Sequence, residues 1–360
     1  MNEAGDGQAA PASPQPAPPP DRPPLPAVVF SALVVLGSFA ALFHIDVPIL
    51  RLLRSHNLSA LQSLGDLGEK LGNGGTLITI SVLLLGAGYL LKRQAWIRTA
   101  VDSLLAHGVV ALVVNSLKHI IGRPRPRLTH SGGWHWWPSL QSGLDSFPSG
   151  HTSATVAVAT VLARALPRLS WVPFALAGWV GASRIWRGSH FPGDVVGGMV
   201  LGFMVGSVFN GPLRWWGRSS AHALVRIAPV VLLLTGWFWV LTHRVLDPVT
   251  DHVLVASGVL LVLAGWLLQV MPQWRPATGG HLPAIVTSKT LLLSGVGVAT
   301  GAPIVIALTG LLCLARWNVA AHCLDAVAQP SWRRDGLYTA ASLAGVIAVQ
   351  FLKGLVPLQS

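Results

Sequence analysis

Three short segments of the 360-residue chain set cations and imidazoles beside apolar runs. Residues 118–127, KHIIGRPRPR, carry Lys118, Arg123, Arg125 and Arg127, with Pro124 and Pro126 stopping a helix and stiffening the turn. Residues 147–151, FPSGH, place small Ser149 and Gly150 before an apolar run. A helix starting there points free backbone N–H groups, at the positive end of its dipole, toward an anion. Residues 183–194, SRIWRGSHFPGD, add Arg184, a planar cation suited to bidentate oxyanion binding, and His190 four residues before Asp194. If Pro192 opens a helix, Asp194 can reach one ring nitrogen of His190, fix its tautomer and leave the other nitrogen free to attack. The chemistry implied is nucleophilic displacement at an anionic centre.

Each segment also has an ordinary explanation. The first could be a juxtamembrane basic patch, the second an N-cap with a surface histidine, the third a local His–Asp pair. Their joint occurrence beside lipid-length apolar runs favours function, because charge within or near a bilayer is costly.

The elements that position them are helices in a membrane. The chain is 52% hydrophobic and 11% charged, against about 25% charged for soluble domains. Apolar segments run at 27–43, 76–91, 99–117, 151–163, 171–182, 195–209, 227–241, 253–270, 291–314 and 337–352, about ten helical spans. The expected fold is all-α: a polytopic helical membrane protein with a six-span core and about four further C-terminal spans. Residues 1–26 form a Pro-rich tail expected to be disordered, 27–212 the core and 213–360 a region without an assigned role. Residues 45–72 read as amphipathic, either lying in the membrane interface or folding as a packed extramembrane helix pair. Tryptophans such as Trp96, Trp171 and Trp216 fall at span ends as an aromatic belt.

The charge balance, 25 Lys+Arg against 13 Asp+Glu or +12 net, points to anionic lipids or phosphorylated substrates. Nucleic acid is not an expected partner, since such binders lack bilayer-length apolar runs. No DxD, DDxxD or HExxH cluster occurs, so neither a metal site nor another cofactor is expected. His243, Asp247, Asp251 and His252 share one loop and read as a solvated turn. Cys313 and Cys323 read as packing thiols.

Lys118-x6-Arg125-Pro126, then Pro148-Ser149-Gly150-His151, then Ser183-Arg184-x5-His190-x3-Asp194 resemble the tripartite signature of the type 2 phosphatidic acid phosphatase superfamily, without departure at any signature position. The resemblance covers roughly residues 27–212. It implies a metal-independent lipid phosphatase acting through a phosphohistidine. Lys118, Arg125, Ser149, Gly150 and Arg184 would bind the phosphoryl group, His190 would be the nucleophile, His151 the general acid, and Asp194 the residue orienting His190. Candidate substrates are phosphatidic acid, phosphatidylglycerol phosphate, undecaprenyl diphosphate and lipid A phosphate. Two alternatives are a vanadate-dependent haloperoxidase-like enzyme and a non-catalytic lipid binder or transporter.

Alternating spans bring the three segments to one membrane face. Lys92, Arg93, Arg98, Arg164, Arg168, Arg214 and Arg218 fall on the other face, which the positive-inside rule makes cytoplasmic. The expected location is a bacterial inner membrane with the site toward the periplasm. Arg51, Arg54, Arg333 and Arg334 count against this assignment, and oligomeric state has no signal.

Overall fold

The computed structural model describes residues 21–55, 62–128, 137–242, 248–270, 282–322 and 332–355, all in helices and short connections. Most of the Pro-rich tail, the loop at 129–136, His243, Asp247 and Cys323 lie outside the described residues. Twelve helices follow in order: α1 (Leu25–Ser55), α2 (Gln62–Gly72), α3 (Gly74–Leu90), α4 (Gln94–Ile121), α5 (Gly150–Ala165), α6 (Trp171–Trp186), α7 (Pro192–Val208), α8 (Trp216–Thr242), α9 (Pro248–Val270), α10 (Leu282–Ala299), α11 (Pro303–His322) and α12 (Trp332–Leu355). Of these, α1, α4, α8, α9 and α11 are long and apolar enough to cross a bilayer individually, and α2 and α3 do so only as a pair bent by 55°. Large side chains such as Leu36, Leu83, Leu112 and Leu260 are exposed on the outside of the bundle, as lipid-facing positions should be. Trp96, Trp171 and Trp216 are exposed at helix ends. The protein is an integral membrane protein.

At 16 and 17 residues, α5 and α7 are short for a span, and they form the centre of the bundle. Gly198, Gly202 and Gly206 on α7 face the carbonyl oxygens of Ser149, Ser153 and Ala157 on α5. A Cβ at those three positions would lie 2.6, 2.3 and 2.6 Å from the oxygens, so only glycine allows this approach. The contacts advance by four residues on both helices, so α5 and α7 run parallel. Their N-termini therefore emerge together on one face, and this juxtaposition builds the site.

The amphipathic stretch divides in two. α1 runs through Pro48 to Ser55, and Ile49 is buried in the core shared by α1, α7, α8 and α11, so this half is not an interfacial helix. The other half is α2, whose Gly65, Gly68 and Gly72 form the buried side. It packs on α6, where Trp179 Nε1 donates to the Leu64 carbonyl at 3.1 Å.

The apolar segment expected at 291–314 is two helices. Thr300, Gly301 and Ala302 separate α10 from α11, with Gly301 at φ +64° and Pro303 opening α11. The apolar run hides a Gly/Pro break from a hydropathy reading. Five helices therefore follow α7, and α12 starts on the face opposite the site. Arg333 and Arg334, in its first turn, move to that face with it. One hydrophobic core joins Val34 and Leu42 of α1 to Val231 of α8 and Leu308 of α11, so the C-terminal helices support α1 directly. Cys313 lies half-buried beside Ser294 on α10.

Candidate active site

The first segment is the exit of α4. Gly122, at φ +62°, caps the helix, and its N–H donates to Lys118 O at 2.9 Å. The turn that follows is held by Ser146 N to Arg123 O at 2.8 Å and Arg125 N to Gly143 O at 2.9 Å. Arg125 forms a two-point pair with Asp145 at 2.7 and 2.6 Å, and Lys118 Nζ lies 3.6 Å from the same carboxylate. Asp145 thus sits in the anion position between the two cations.

The second segment is the entry of α5. Ser149 is its N-cap by position, but its hydroxyl does not cap the helix. Instead Ser149 Oγ accepts from Thr152 Oγ1 at 3.0 Å. The first-turn N–H groups, from Gly150 onward, have no acceptor within the helix. Ser149 N donates to Asp194 O at 3.0 Å, tying the second segment to the third. The His151 ring lies beside Gly72 of α2 and within the fields of Arg184, His190 and Lys118.

The third segment joins α6 to α7. Arg184 is buried near the end of α6, with Nη1 paired to Glu69 of α2 at 3.4 Å, and its buried Nε has no hydrogen-bond acceptor among the described residues. Such a donor costs free energy unless an acceptor meets it. His190 is also buried, and its N–H bonds the Arg184 carbonyl at 3.2 Å. Its Nδ1 is 3.6 Å from Asp194 Oδ2, beyond hydrogen-bond length, and has no other partner among the described residues. Asp194 opens α7 as sequence spacing predicts, with its Oδ2 accepting the Phe191 N–H at 2.9 Å. The eight expected site residues thus gather where α4 and α6 end and α5 and α7 begin.

Sequence reasoning missed the support beneath Asp194. Arg123 reaches Asp194 Oδ1 with Nη1 at 2.5 Å and Asp46 Oδ2 with Nη2 at 2.6 Å. Its guanidinium lies between the Phe43 and Phe191 rings, 4.9 and 4.4 Å from their centroids. Asp46 of α1 also accepts the Gly193 N–H at 2.8 Å, and Ser146 Oγ donates to Asp194 Oδ2 at 2.5 Å. Asp46 and Asp194 are completely buried, so each needs these partners. Asp145 and Glu69, the acids facing the cations, were missed as well. An Asp one helix turn before the end of an apolar run, in IDVP, was the available signal for Asp46.

The surroundings set the charges of the loop groups. Burial holds the His190 imidazole below its ordinary pKa, while the Asp194 carboxylate pulls the other way. The ring is therefore neutral near pH 7. The Arg125 hydrogen bond, with the charges of Arg125 and Lys118, brings Asp145 down to about 2 against the opposing effect of partial burial. The same hydrogen bond raises Arg125.

The arrangement is a cationic anion site with an aspartate-backed imidazole in it. Comparison with known proteins agrees. The sequence profile of the PAP2 superfamily matches residues 99–217. The chain is 35% identical over 161 residues to a lipid A 1-phosphatase of Rhizobium etli, spanning 41% of this chain and 69% of that protein. The chain belongs to the PAP2 superfamily. A decaprenylphosphoryl-5-phosphoribose phosphatase of Mycobacterium tuberculosis is 33% identical over 126 residues, spanning 33% of this chain and 62% of that protein. A solved transmembrane PAP2-type phosphatidylglycerolphosphate phosphatase from Bacillus subtilis aligns over 51% of this chain and 94% of its own, at 26% identity and a TM-score of 0.40. As a PAP2 superfamily member with phosphatase relatives, the protein is a phosphoric ester hydrolase.

Proposed function

We propose that the protein hydrolyses a phosphomonoester or diphosphate of a membrane lipid through a phosphohistidine on His190, without a metal. Buried Arg184, whose Nε has no acceptor among the described residues, beside the Asp194-backed His190, carries this reading. The phosphoryl oxygens lie against Lys118, Arg125, Arg184 and the N–H groups that follow Ser149. These groups neutralise the charge that a metal neutralises in other phosphoryl-transfer sites. His190 Nδ1–H faces Asp194, which leaves Nε2 as nucleophile. The Nε2–P bond forms as the P–O bond to the lipid breaks, and His151 gives its proton to the leaving oxygen. His151 then takes a proton from water, the water oxygen bonds to phosphorus, the N–P bond breaks, and inorganic phosphate leaves. The substrate is a phosphorylated lipid, a reading supported by the site's place at the ends of membrane helices. The Rhizobium etli and Mycobacterium tuberculosis relatives are named for lipid A and a decaprenylphosphoryl sugar, both lipid-linked.

Rapid quench with phosphorus-labelled lipid should trap an acid-labile, base-stable phosphoenzyme in the wild type and none in His190→Gln. Turnover should persist in EDTA. Near-normal hydrolysis by purified His190→Gln would refute the nucleophile assignment.

The catalytic face is proposed to be periplasmic, in a bacterial inner membrane. Lys92, Arg93, Arg98, Arg164, Arg168, Arg214, Arg218, Arg333 and Arg334 all fall on the opposite face, and Arg51 and Arg54 remain as exceptions. In a variant with both native cysteines changed to serine, Leu140→Cys should label from outside in intact cells. Labelling only from the cytoplasm would reverse the orientation.

A further inference from the structure

The C-terminal helices line a second cavity, apart from the candidate active site. A cavity of about 510 Å³ lies among α8, α10, α11 and α12, within the size range of small-molecule sites. Its two ends differ. At one end stand Arg226 of α8, Lys289 of α10 and Arg316 of α11, with Asp335 of α12 as the carboxylate among them. Lys289 lies 3.9 Å from Asp335, and Arg226 and Arg316 form no ion pair among the described residues. Three cations thus face one acid beside lipid, where unmatched charge is costly and marks function. At the other end a Cβ on Gly236 of α8 would lie 3.1 Å from Thr300 Cγ2 and 3.5 Å from Val305 Cγ1, so the cavity closes there.

The helical register sets its depth. Arg226 to Gly236, Lys289 to Thr300 and Val305 to Arg316 are separated by ten or eleven residues, each about 15 Å of helix. That matches one leaflet of a roughly 30 Å hydrocarbon core. The wall between is mainly apolar, formed by residues such as Leu232, Leu292, Val296 and Leu312, with Thr309 and Ser342 among them. Arg226 and Arg316 also sit where polarity changes along their helices, and Lys289 lies in the short polar stretch Thr287–Thr290 of α10. Apolar residues run from Ile227 onward in α8, end at Ala315 in α11 and resume at Leu337 in α12. The cationic end therefore lies at the interface, on the face where α8 begins, opposite the catalytic site.

We infer that this cavity binds an anionic amphiphile, with a phosphate headgroup at Arg226, Lys289 and Arg316 and one acyl chain along the apolar wall. The occupant comes from the leaflet opposite the catalytic face. Its site is built of helices outside the three catalytic segments, and nothing in the reaction uses it.

The test is native mass spectrometry of the purified full-length protein titrated with dioleoyl phosphatidylglycerol, dioleoyl phosphatidylcholine or glycerol 3-phosphate. Phosphatidylglycerol should be retained at least tenfold better than phosphatidylcholine, and glycerol 3-phosphate should not be retained. Lys289→Gln with Arg316→Gln should lower phosphatidylglycerol retention at least tenfold while phosphatase turnover stays within twofold. Ser342→Trp, which fills the cavity and leaves every cation in place, should lower retention equally and covers the case in which the double variant fails to fold. Equal retention of both lipids, wild-type retention by Ser342→Trp, or retention of glycerol 3-phosphate as strong as the lipid's would each overturn the inference. Loss of retention in His190→Ala would instead put the lipid in the catalytic site and overturn it too.

Discussion

Arg123 gives the sharpest test of how the site is held. Its side chain is 4% exposed and its guanidinium joins two fully buried carboxylates, Asp194 at 2.5 Å and Asp46 at 2.6 Å. In Arg123→Gln both carboxylates lose the guanidinium that pairs with each of them and face each other across a neutral amide. Breaking a buried pair in this way costs about 3–5 kcal/mol, equivalent to a fall of roughly 4–7 °C in thermal midpoint for a chain of this size. Asp194 keeps Ser146 Oγ and the Phe191 N–H but loses its firmest anchor. Displacing His190 by even 1 Å lowers turnover on the order of 100-fold. The double variant Arg123→Gln with Asp46→Asn removes one charge of each sign and returns the site to a single carboxylate. It should recover at least half of the lost stability while its kcat stays at least tenfold low and its KM stays within threefold of wild type. Arg123→Lys should also lose turnover, because one ammonium cannot span both acids as the fork does. Thermal unfolding and steady-state phosphate release on all three variants form the assay. The reasoning fails if Arg123→Gln turns over within threefold of wild type, or if the double variant is no more stable than the single.

Asp194→Asn should lower turnover by about 100-fold or more, and an effect under about tenfold, measured by phosphate release, would remove Asp194 from the site. Asp145→Asn frees Lys118 and Arg125 from a competing anion. Because that carboxylate is partly exposed, the gain is limited to about 1 kcal/mol, read as up to fivefold tighter inhibition by inorganic phosphate; weaker inhibition would show that Asp145 instead organises the cations. Burial lowers the His190 pKa, so the reactive neutral ring persists below the ordinary imidazole value, and the acidic limb of kcat/KM should lie below pH 6.5. Asp145, at about 2, stays ionised across that limb. Its ion pair is complete above the unfolded carboxylate value near pH 4 and is lost only as pH falls toward 2. Gly202→Leu should separate α5 from α7 and abolish activity and stability together, since its side chain has no space against the Ser153 carbonyl; a folded, active variant would refute the packing account.

Much of this protein is readable along the chain. Hydropathy marks most of the membrane helices, because bilayer thickness demands long apolar runs. The catalytic segments stand out because charge next to such runs is expensive, and His190 and Asp194 are legible as a pair because one helical turn separates them. Tertiary structure decided the rest. Asp194 meets Arg123 across 71 residues and Arg123 meets Asp46 across 77, separations that no local periodicity encodes. Glycines at 198, 202 and 206 are visible in the sequence, but only their partner carbonyls on α5 show that the two helices run parallel and bring Ser149 to Asp194. The break between α10 and α11 lies inside an apolar run, and finding it reversed the side assigned to Arg333 and Arg334. The lipid-sized cavity depends on four helices bringing Arg226, Lys289, Arg316 and Asp335 together. Sequence determines which groups can react and what solvent surrounds them, because those are properties of residues and runs. Only packing decides which buried charges meet, because that pairing is set by shape and distance in three dimensions.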